Sequence, residues 1–318
     1  RGMFAFALWD SSTRRLVICR DRIGKKPLYY WRSAGKLIFA SEIKSLIRCP
    51  EIPKTVNREG FHAFLAFQYI PGTETAIQNI FRVPPGNMVI LENGNVKIQE
   101  YWSLHRNTQS NWQGTEEKAI GEIGDLLEES VAMRLASDVP LGVLLSGGLD
   151  SSSIVALMSK RVTGAIKTFS VGFGVESDEL QYAKIVSQKF NTEHHEFIVK
   201  PENLLAKLEK IVWYMDEPIA DGGAFATYMV SEVVKQYVKV ILVGEGADEL
   251  FGGYSWHRLG SPYFNFIPKT IKERLYFYLN TFYRGWENNH AIYGKFETLF
   301  NSNNQDRDFL SMMALFEL

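Results

Sequence analysis

The 318-residue sequence predicts a two-domain protein: a β-rich antiparallel α+β domain, then a parallel α/β domain. Three observations carry this reading. Short apolar strands separated by turn residues fill the first hundred positions. A polar stretch without periodicity follows. From residue 142 onward, short apolar runs alternate with helical patterns, as in a parallel sheet covered by helices on both faces. The length also favours two domains over one.

Taken in order, residues 3–9 read as a strand ended by a turn at Asp10-Ser11-Ser12. Residues 16–19 form a second strand. Residues 28–31 and 36–40 flank Ser33-Ala34-Gly35, a hairpin turn. Residues 88–91 and 96–98 flank Glu92-Asn93-Gly94-Asn95, and Asn-Gly is the strongest short hairpin signal. The run from Trp102 to Lys118 is the linker, and it divides the chain into domains at 1–106 and 107–318. Thr115 is placed to cap a helix reaching Leu135, with Ile120, Ile123, Leu126, Leu127 and Val131 at helical spacing. Strands are then expected at 142–145, 166–171, 195–199 and 239–243. Helices are expected at 152–161, 179–190, 204–215 and 224–237.

Composition narrows the function classes. A net charge of −1 gives no general attraction to nucleic acid or anionic membrane. No apolar run approaches the roughly 20 residues that span a bilayer. Cys19 and Cys49 make no disulfide framework, so a reducing, cytoplasmic setting is expected. The chain opens on Arg1 and ends in an apolar stretch at Leu318, which suggests an internal piece of a longer protein.

The strongest chemical signal joins the strand at 142–145 to the next helix: Ser146-Gly147-Gly148-Leu149-Asp150-Ser151-Ser152. Two glycines let the backbone approach a ligand closely. Helix-start N–H groups bind anions, and Ser146, Ser151 and Ser152 add hydroxyl donors. Asp150 would repel phosphate unless a bridging Mg²⁺ stood between them, and carboxylate oxygen suits that ion. No Gly-Lys-Ser/Thr follows, so the loop argues for pyrophosphate binding over γ-phosphoryl transfer. A second loop, Gly244-Glu245-Gly246-Ala247-Asp248-Glu249, follows the strand at 239–243. Ligands of open α/β sheets bind beyond the carboxyl ends of the strands, so both loops should face one crevice. The alternative is that these acids complement a helix dipole, which suits Glu249 better than Glu245 between its two glycines.

These segments, with Thr168-Phe169-Ser170-Val171-Gly172-Phe173, Asp216-Glu217-Pro218 and Leu250-Phe251-Gly252-Gly253-Tyr254, resemble the glutamine-hydrolysing asparagine synthetases. In the first domain, Gly2-Met3-Phe4-Ala5-Phe6-Ala7-Leu8-Trp9-Asp10 and Arg20-Asp21-Arg22-Ile23-Gly24-Lys25-Lys26-Pro27-Leu28-Tyr29-Tyr30 agree, as does Phe39-Ala40-Ser41-Glu42-Ile43-Lys44. The resemblance implies an N-terminal-nucleophile (Ntn) glutaminase domain joined to an ATP-pyrophosphatase-type domain. It implies amidation of aspartate through β-aspartyl-AMP, with ammonia from glutamine crossing an internal channel. It further implies that Asp150 and Asp248 hold Mg²⁺ on the pyrophosphate. Leu145, Val171, Val243 and Gly244 would line the adenosine site, and Glu245 would be the acid beside the intermediate. The implied partners are small molecules, namely aspartate, glutamine and ATP, and a homodimer is left open.

The resemblance also marks departures. The family's Cys nucleophile and the glutamine-holding segments after it do not occur in this sequence. Neither do the catalytic Lys and the aspartate-recognition residues of the C-terminal region. Residues 1–318 alone are therefore expected to be inactive. Two alternatives stand beside the main reading: an adenylate-forming relative acting on another carboxylate, and a non-catalytic relative.

Other features are read structurally. His194 and His195, adjacent on a strand, point to opposite faces and suit a metal poorly. Arg20, Arg22, Lys25 and Lys26 are expected to shape a domain interface. Asp216 and Asp221 could line the crevice or cap helices. The aromatic stretch 263–286 reads as packed helix surface.

Overall fold

The computed structural model describes residues 2–33, 35–104, 112–174, 178–199 and 204–254. Residues 105–111 of the expected linker and the aromatic stretch 263–286 lie outside this set. The described residues form two compact units. The first holds 2–104 with 209–221, and the second holds 112–208 with 222–254.

The first unit is built from strands β1 (Ala5–Asp10), β2 (Arg15–Arg20), β3 (Tyr29–Ser33) and β4 (Lys36–Ala40), helices α1 (Ile43–Leu46) and α2 (Arg58–Phe67), then β5 (Ile80–Arg82), β6 (Asn87–Glu92) and β7 (Asn95–Glu100). Two antiparallel sheets result, ordered β1-β2-β6-β7 and β4-β3-β5. The β6–β7 turn places Asn93 (φ 50°) and Gly94 (φ 77°) in the left-handed region, as a type I′ hairpin requires. Strand β3 buries both faces. Tyr30 joins Ile18, Val83 and Val89 in one core, while Tyr29 and Trp31 join Ile43, Leu46 and Ile80 in the other. This explains its unbroken apolar run. Helices α1 and α2 and strand β5 were not foreseen.

Arg20 is buried, and its guanidinium donates to the carbonyls of Lys26 (2.8 Å), Val83 (2.9 Å) and Gly24 (2.7 Å). It holds the loop that follows β2 through bonds within the first unit. Asp21, also buried, accepts from Lys25 N and Lys26 N, each at 2.9 Å, and from Phe4 N at 3.3 Å. Burial alone would raise its pKa, but N–H donors from Lys26, Lys25, Phe4 and Ile23 outweigh burial and hold it below the usual carboxylate value. Such a group contributes stability above its unfolded pKa of about 3.9 and loses it as pH falls through the lower folded value. Asp21→Asn should therefore lower unfolding free energy by about 1–3 kcal/mol at pH 7, with the difference from wild type shrinking below about pH 4. Urea titrations at pH 7 and pH 3 check both parts.

The second unit comprises α3 (Glu116–Arg134), β8 (Leu141–Leu144), α4 (Leu149–Ser159), β9 (Lys167–Gly172), α5 (Leu180–Phe190), β10 (Glu193–Ile198), the start of α6 (Leu204–Met215), α7 (Gly222–Val234), β11 (Val240–Leu242) and α8 (Ala247–Phe251). Thr115 caps α3 by accepting from Lys118 N (3.3 Å). The four strands pair in parallel in the order β10-β9-β8-β11. The parallel α/β class and the antiparallel first unit are those the sequence predicts. Core side chains Val143, Leu145, Val155, Met158 and Ala183 pack α4 and α5 on one side of the sheet. Phe169, Val234 and Val238 form a second cluster with α7. No helix among the described residues is long and apolar enough to cross a membrane.

His194 and His195 do face opposite ways. His194 Nδ1 lies 2.9 Å from Thr168 Oγ1, and burial depresses its pKa first of all. His195 stacks on Phe169 with ring centroids 5.3 Å apart.

Candidate phosphate-binding site

The chain runs outward from β8 to β9 and β10, then returns to place β11 on the other side of β8. The winding direction therefore reverses between β8 and β11. Open parallel sheets bind ligands at such a point, beyond the carboxyl ends of the strands. The loops leaving β8 and β11 are the two serine- and acid-bearing segments.

Helix α4 starts at Leu149, three residues earlier than the sequence pattern suggests, with Gly148 as an N-cap that supplies no side chain. Asp150 and Ser151 thus sit in its first turn, not in the loop. Their N–H groups belong to the unsatisfied helix start, where the dipole favours an anion. Ser146 and Ser151 lock the turn. Ser151 Oγ accepts from Ser146 N (3.2 Å), lies 3.0 Å from Ser146 Oγ and donates to Gly148 O (3.3 Å). Ser146 Oγ accepts from Gly148 N (3.2 Å). Both hydroxyls shape the loop first. Ser152 Oγ is buried and makes no hydrogen bond, so it is the uncommitted donor of the three.

Gly147 is held at φ 86°. A Cβ there would stand 2.5 Å from both Ala183 N and Tyr182 Cβ, so the loop lies directly on the first turn of α5. A Cβ at Gly244 would stand 3.0 Å from Asp150 Cβ and 3.3 Å from Ser151 N. The structure therefore brings the start of the second loop against the start of α4. Beyond it, Glu245 is exposed and Asp248 half-buried at the head of α8. Tyr254 donates to Glu249 at 2.8 Å, which pushes its phenol up to about 12. Glu249 is thereby held in a local contact.

Leu145 is 1 % exposed in the core, so only its main chain can face a ligand. Its carbonyl accepts from Ser170 Oγ, and its N–H donates to Phe169 O at 2.8 Å. Val171 is half-buried and Val243 is 39 % exposed, so their side chains can contribute surface. Sequence reasoning missed Ser170 and Asp178. Asp178 accepts from Phe173 N (3.0 Å) and Gly174 N (2.8 Å) and closes the turn after β9. An acid a few residues beyond Gly172-Phe173 was the available signal.

Among the described residues, no three His, Cys, Asp or Glu side chains form a self-sufficient metal site. Mg²⁺ is commonly held by one or two carboxylates together with substrate phosphates. Asp150 and Asp248 each lie in the first turn of a helix, α4 and α8, and the Asp248 carboxylate lies against Gly253.

Asp216 lies in the first unit at φ 65°, and its carboxylate accepts from Ile43 N and from Lys44 N (3.1 Å). It caps α1, whose own N-cap Glu42 supplies no side-chain bond.

An antiparallel β-rich unit and a parallel α/β unit with a glycine-serine loop at a helix start define the architecture. The chain belongs to the asparagine synthase family: the model described as "Asparagine synthase" matches residues 122–310, and that described as "Glutamine amidotransferase domain" matches 1–102. Glutamine-hydrolyzing asparagine synthetase 1 of Bacillus subtilis (strain 168) is 37% identical over 279 residues, 86% of this chain and 43% of that protein. Putative glutamine-hydrolyzing asparagine synthetase 2 of Methanocaldococcus jannaschii is 36% identical over 276 residues, 85% of this chain and 53% of that one. Amidase chyE of Penicillium rubens is 32% identical over 276 residues, 81% of this chain and 41% of that protein. The chain thus spans about half the length, or less, of these relatives.

Proposed function

We propose that the full-length protein carrying this chain makes asparagine from aspartate, ATP and glutamine. The observation that carries the reading is the contact of Gly244 with the first turn of α4, at the point where the parallel sheet reverses its winding. It supports a two-sided nucleotide site. The β-carboxylate oxygen of aspartate attacks the α-phosphorus of ATP, and pyrophosphate leaves. Ammonia, released with glutamate when water hydrolyses glutamine, then attacks the acyl carbon, and AMP leaves.

Each site residue has a part in this proposal. Gly147 and Gly148 let the main chain reach the pyrophosphate, and the N–H groups opening α4 donate to it. Ser146 and Ser151 keep the loop in shape, and Ser152, its hydroxyl buried without a partner, stands behind them. Asp150 and Asp248 would hold Mg²⁺, which supplies charge neutralisation at the phosphates. The main chain of Leu145 and Gly244, with Val171 and Val243, would face adenosine. Glu245, exposed between two glycines, would take a proton from the incoming ammonia or stabilise charge there. Residues 1–106 would belong to the glutaminase half and 107–318 to the synthetase half. A cytoplasmic setting belongs to the same proposal.

The full-length protein should convert aspartate, glutamine and ATP into asparagine, with AMP and pyrophosphate in equal amounts. Release of ADP and phosphate would overturn the reading. Residues 1–318 alone should make no asparagine. The likeness to amidase chyE favours a second reading, with the same activation on another carboxylate. Screening carboxylic acids for pyrophosphate release separates the two.

A further inference from the structure

Helix α5 starts without a side-chain cap, because its N-cap, Glu179, makes no capping bond. Asp178, one residue earlier, is the kind of acid that ordinarily accepts from the first turn of the helix it precedes. Its carboxylate accepts instead from the turn after β9. Phe173 N donates to both of its oxygens at 3.0 Å, and Gly174 N donates to Oδ2 at 2.8 Å. Gly174 stands at φ 75°, and two successive N–H groups in such a turn make a concave donor pair suited to an anion. Gly172, the last residue of β9, makes room for that anion. A Cβ there would stand 2.7 Å from Asp178 Oδ2 and 2.9 Å from Leu180 Cδ1. Gly172 is outside the left-handed region, so its missing side chain matters for space and not for backbone conformation.

Asp178 thus ties together two pieces that border the phosphate loop, both in the second unit. One is the end of β9, where Val171 and the exposed Phe173 lie and where Ser170 bonds the Leu145 carbonyl at the root of the loop. The other is the head of α5, where Tyr182 and Ala183 bear directly on Gly147. We infer that Asp178 is a positioning residue for the nucleotide, holding the β9 turn to the head of α5 so that the adenosine-facing strand end and the pyrophosphate loop keep a fixed separation. The inference rests on the functional reading above. Both surfaces meet ATP in the ground state and the transition state alike. Loss of the carboxylate therefore weakens nucleotide affinity and leaves turnover at saturation in place.

The test uses the full-length protein, with Mg-ATP binding read by calorimetry and asparagine formation from ammonia read at steady state. In Asp178→Ala, Mg-ATP should bind about tenfold more weakly and the KM for ATP should rise as much, while the KM for ammonia and the kcat stay within about twofold of wild type. Asp178→Asn can keep an oxygen at the Oδ2 position, which reaches both N–H groups, and should recover most of the loss. Gly172→Ala displaces the carboxylate without removing it and should weaken Mg-ATP in the same direction; it carries the test if Asp178→Ala fails to fold. Combined in one chain, the two substitutions should weaken binding little more than Asp178→Ala alone, because both act on one contact. Wild-type affinity for Mg-ATP in these variants, or a rise in the KM for ammonia equal to that for ATP, overturns the inference and leaves the functional reading standing. A wild-type protein that binds Mg-ATP and makes no asparagine overturns that reading alone, and the binding measurements still decide the inference. A wild-type protein that does not bind Mg-ATP overturns both.

Discussion

Gly147→Ala should abolish most of the ATP-dependent chemistry of the full-length protein. Two costs combine at this position. Holding an L-residue at φ 86° costs about 1–2 kcal/mol. The new Cβ would also fall 2.5 Å from Ala183 N, which is backbone and cannot rotate away. Relief requires moving either the loop or the first turn of α5, and overpacking of this sort costs a further ~1–3 kcal/mol. A displacement of about 1 Å at a reacting site can cost on the order of 100-fold in rate. We therefore expect a lower melting temperature and a fall of about 100-fold in pyrophosphate release. Gly121→Ala is the control. It lies mid-helix in α3 with nothing within 4 Å, and it should stabilise by about 0.5–1 kcal/mol without changing activity. Equal activity in wild type and Gly147→Ala would show that the loop does not approach the reacting phosphates.

Asp150→Ala should separate folding from nucleotide binding. As an acid in the first turn of α4, Asp150 contributes only about 0.3–1 kcal/mol through the helix dipole. The variant should therefore fold. Its role in the proposal is different, because a carboxylate beside a phosphate cradle is unfavourable without a cation between them. Calorimetry should show Mg-ATP affinity weakened by about 100-fold or more, on the order of 3 kcal/mol. Without Mg²⁺ the sign should reverse, with pyrophosphate binding the variant at least as well as wild type. Loss of binding in both conditions would mean that Asp150 supports the loop and does not hold the ion.

Both predictions rest on residues legible in the sequence, because the loop is local. Gly147, Gly148 and the serines act within a few positions of one another, and the strand and helix around them carry clear periodicity. The hairpin at Asn93-Gly94 was legible for the same reason. What could not be read depended on distance along the chain. Helix α1 is only four residues long and takes its cap from Asp216, 173 positions away. Arg20 looks like a surface cation in sequence, yet one of its three carbonyl partners is Val83, 63 positions on. Leu145 could be placed at the strand end but not turned inward, because which face is buried depends on α4 and α5 packing there. Helix α4 began early because Gly148, without a side chain, served as its N-cap. That the two loops would face one crevice was expected only from a rule about parallel sheets; the approach of Gly244 to Asp150, at the reversal between β8 and β11, was not legible.

The central claim is that a carboxylate oxygen of aspartate attacks the α-phosphorus of ATP in the site between the β8 and β11 loops. Aspartate labelled with ¹⁸O in its side-chain carboxylate tests it most directly. The full-length protein, turning over with ammonia and ATP, should transfer one labelled oxygen to AMP and none to pyrophosphate. Label appearing in inorganic phosphate, or AMP emerging unlabelled while asparagine forms, would contradict the account.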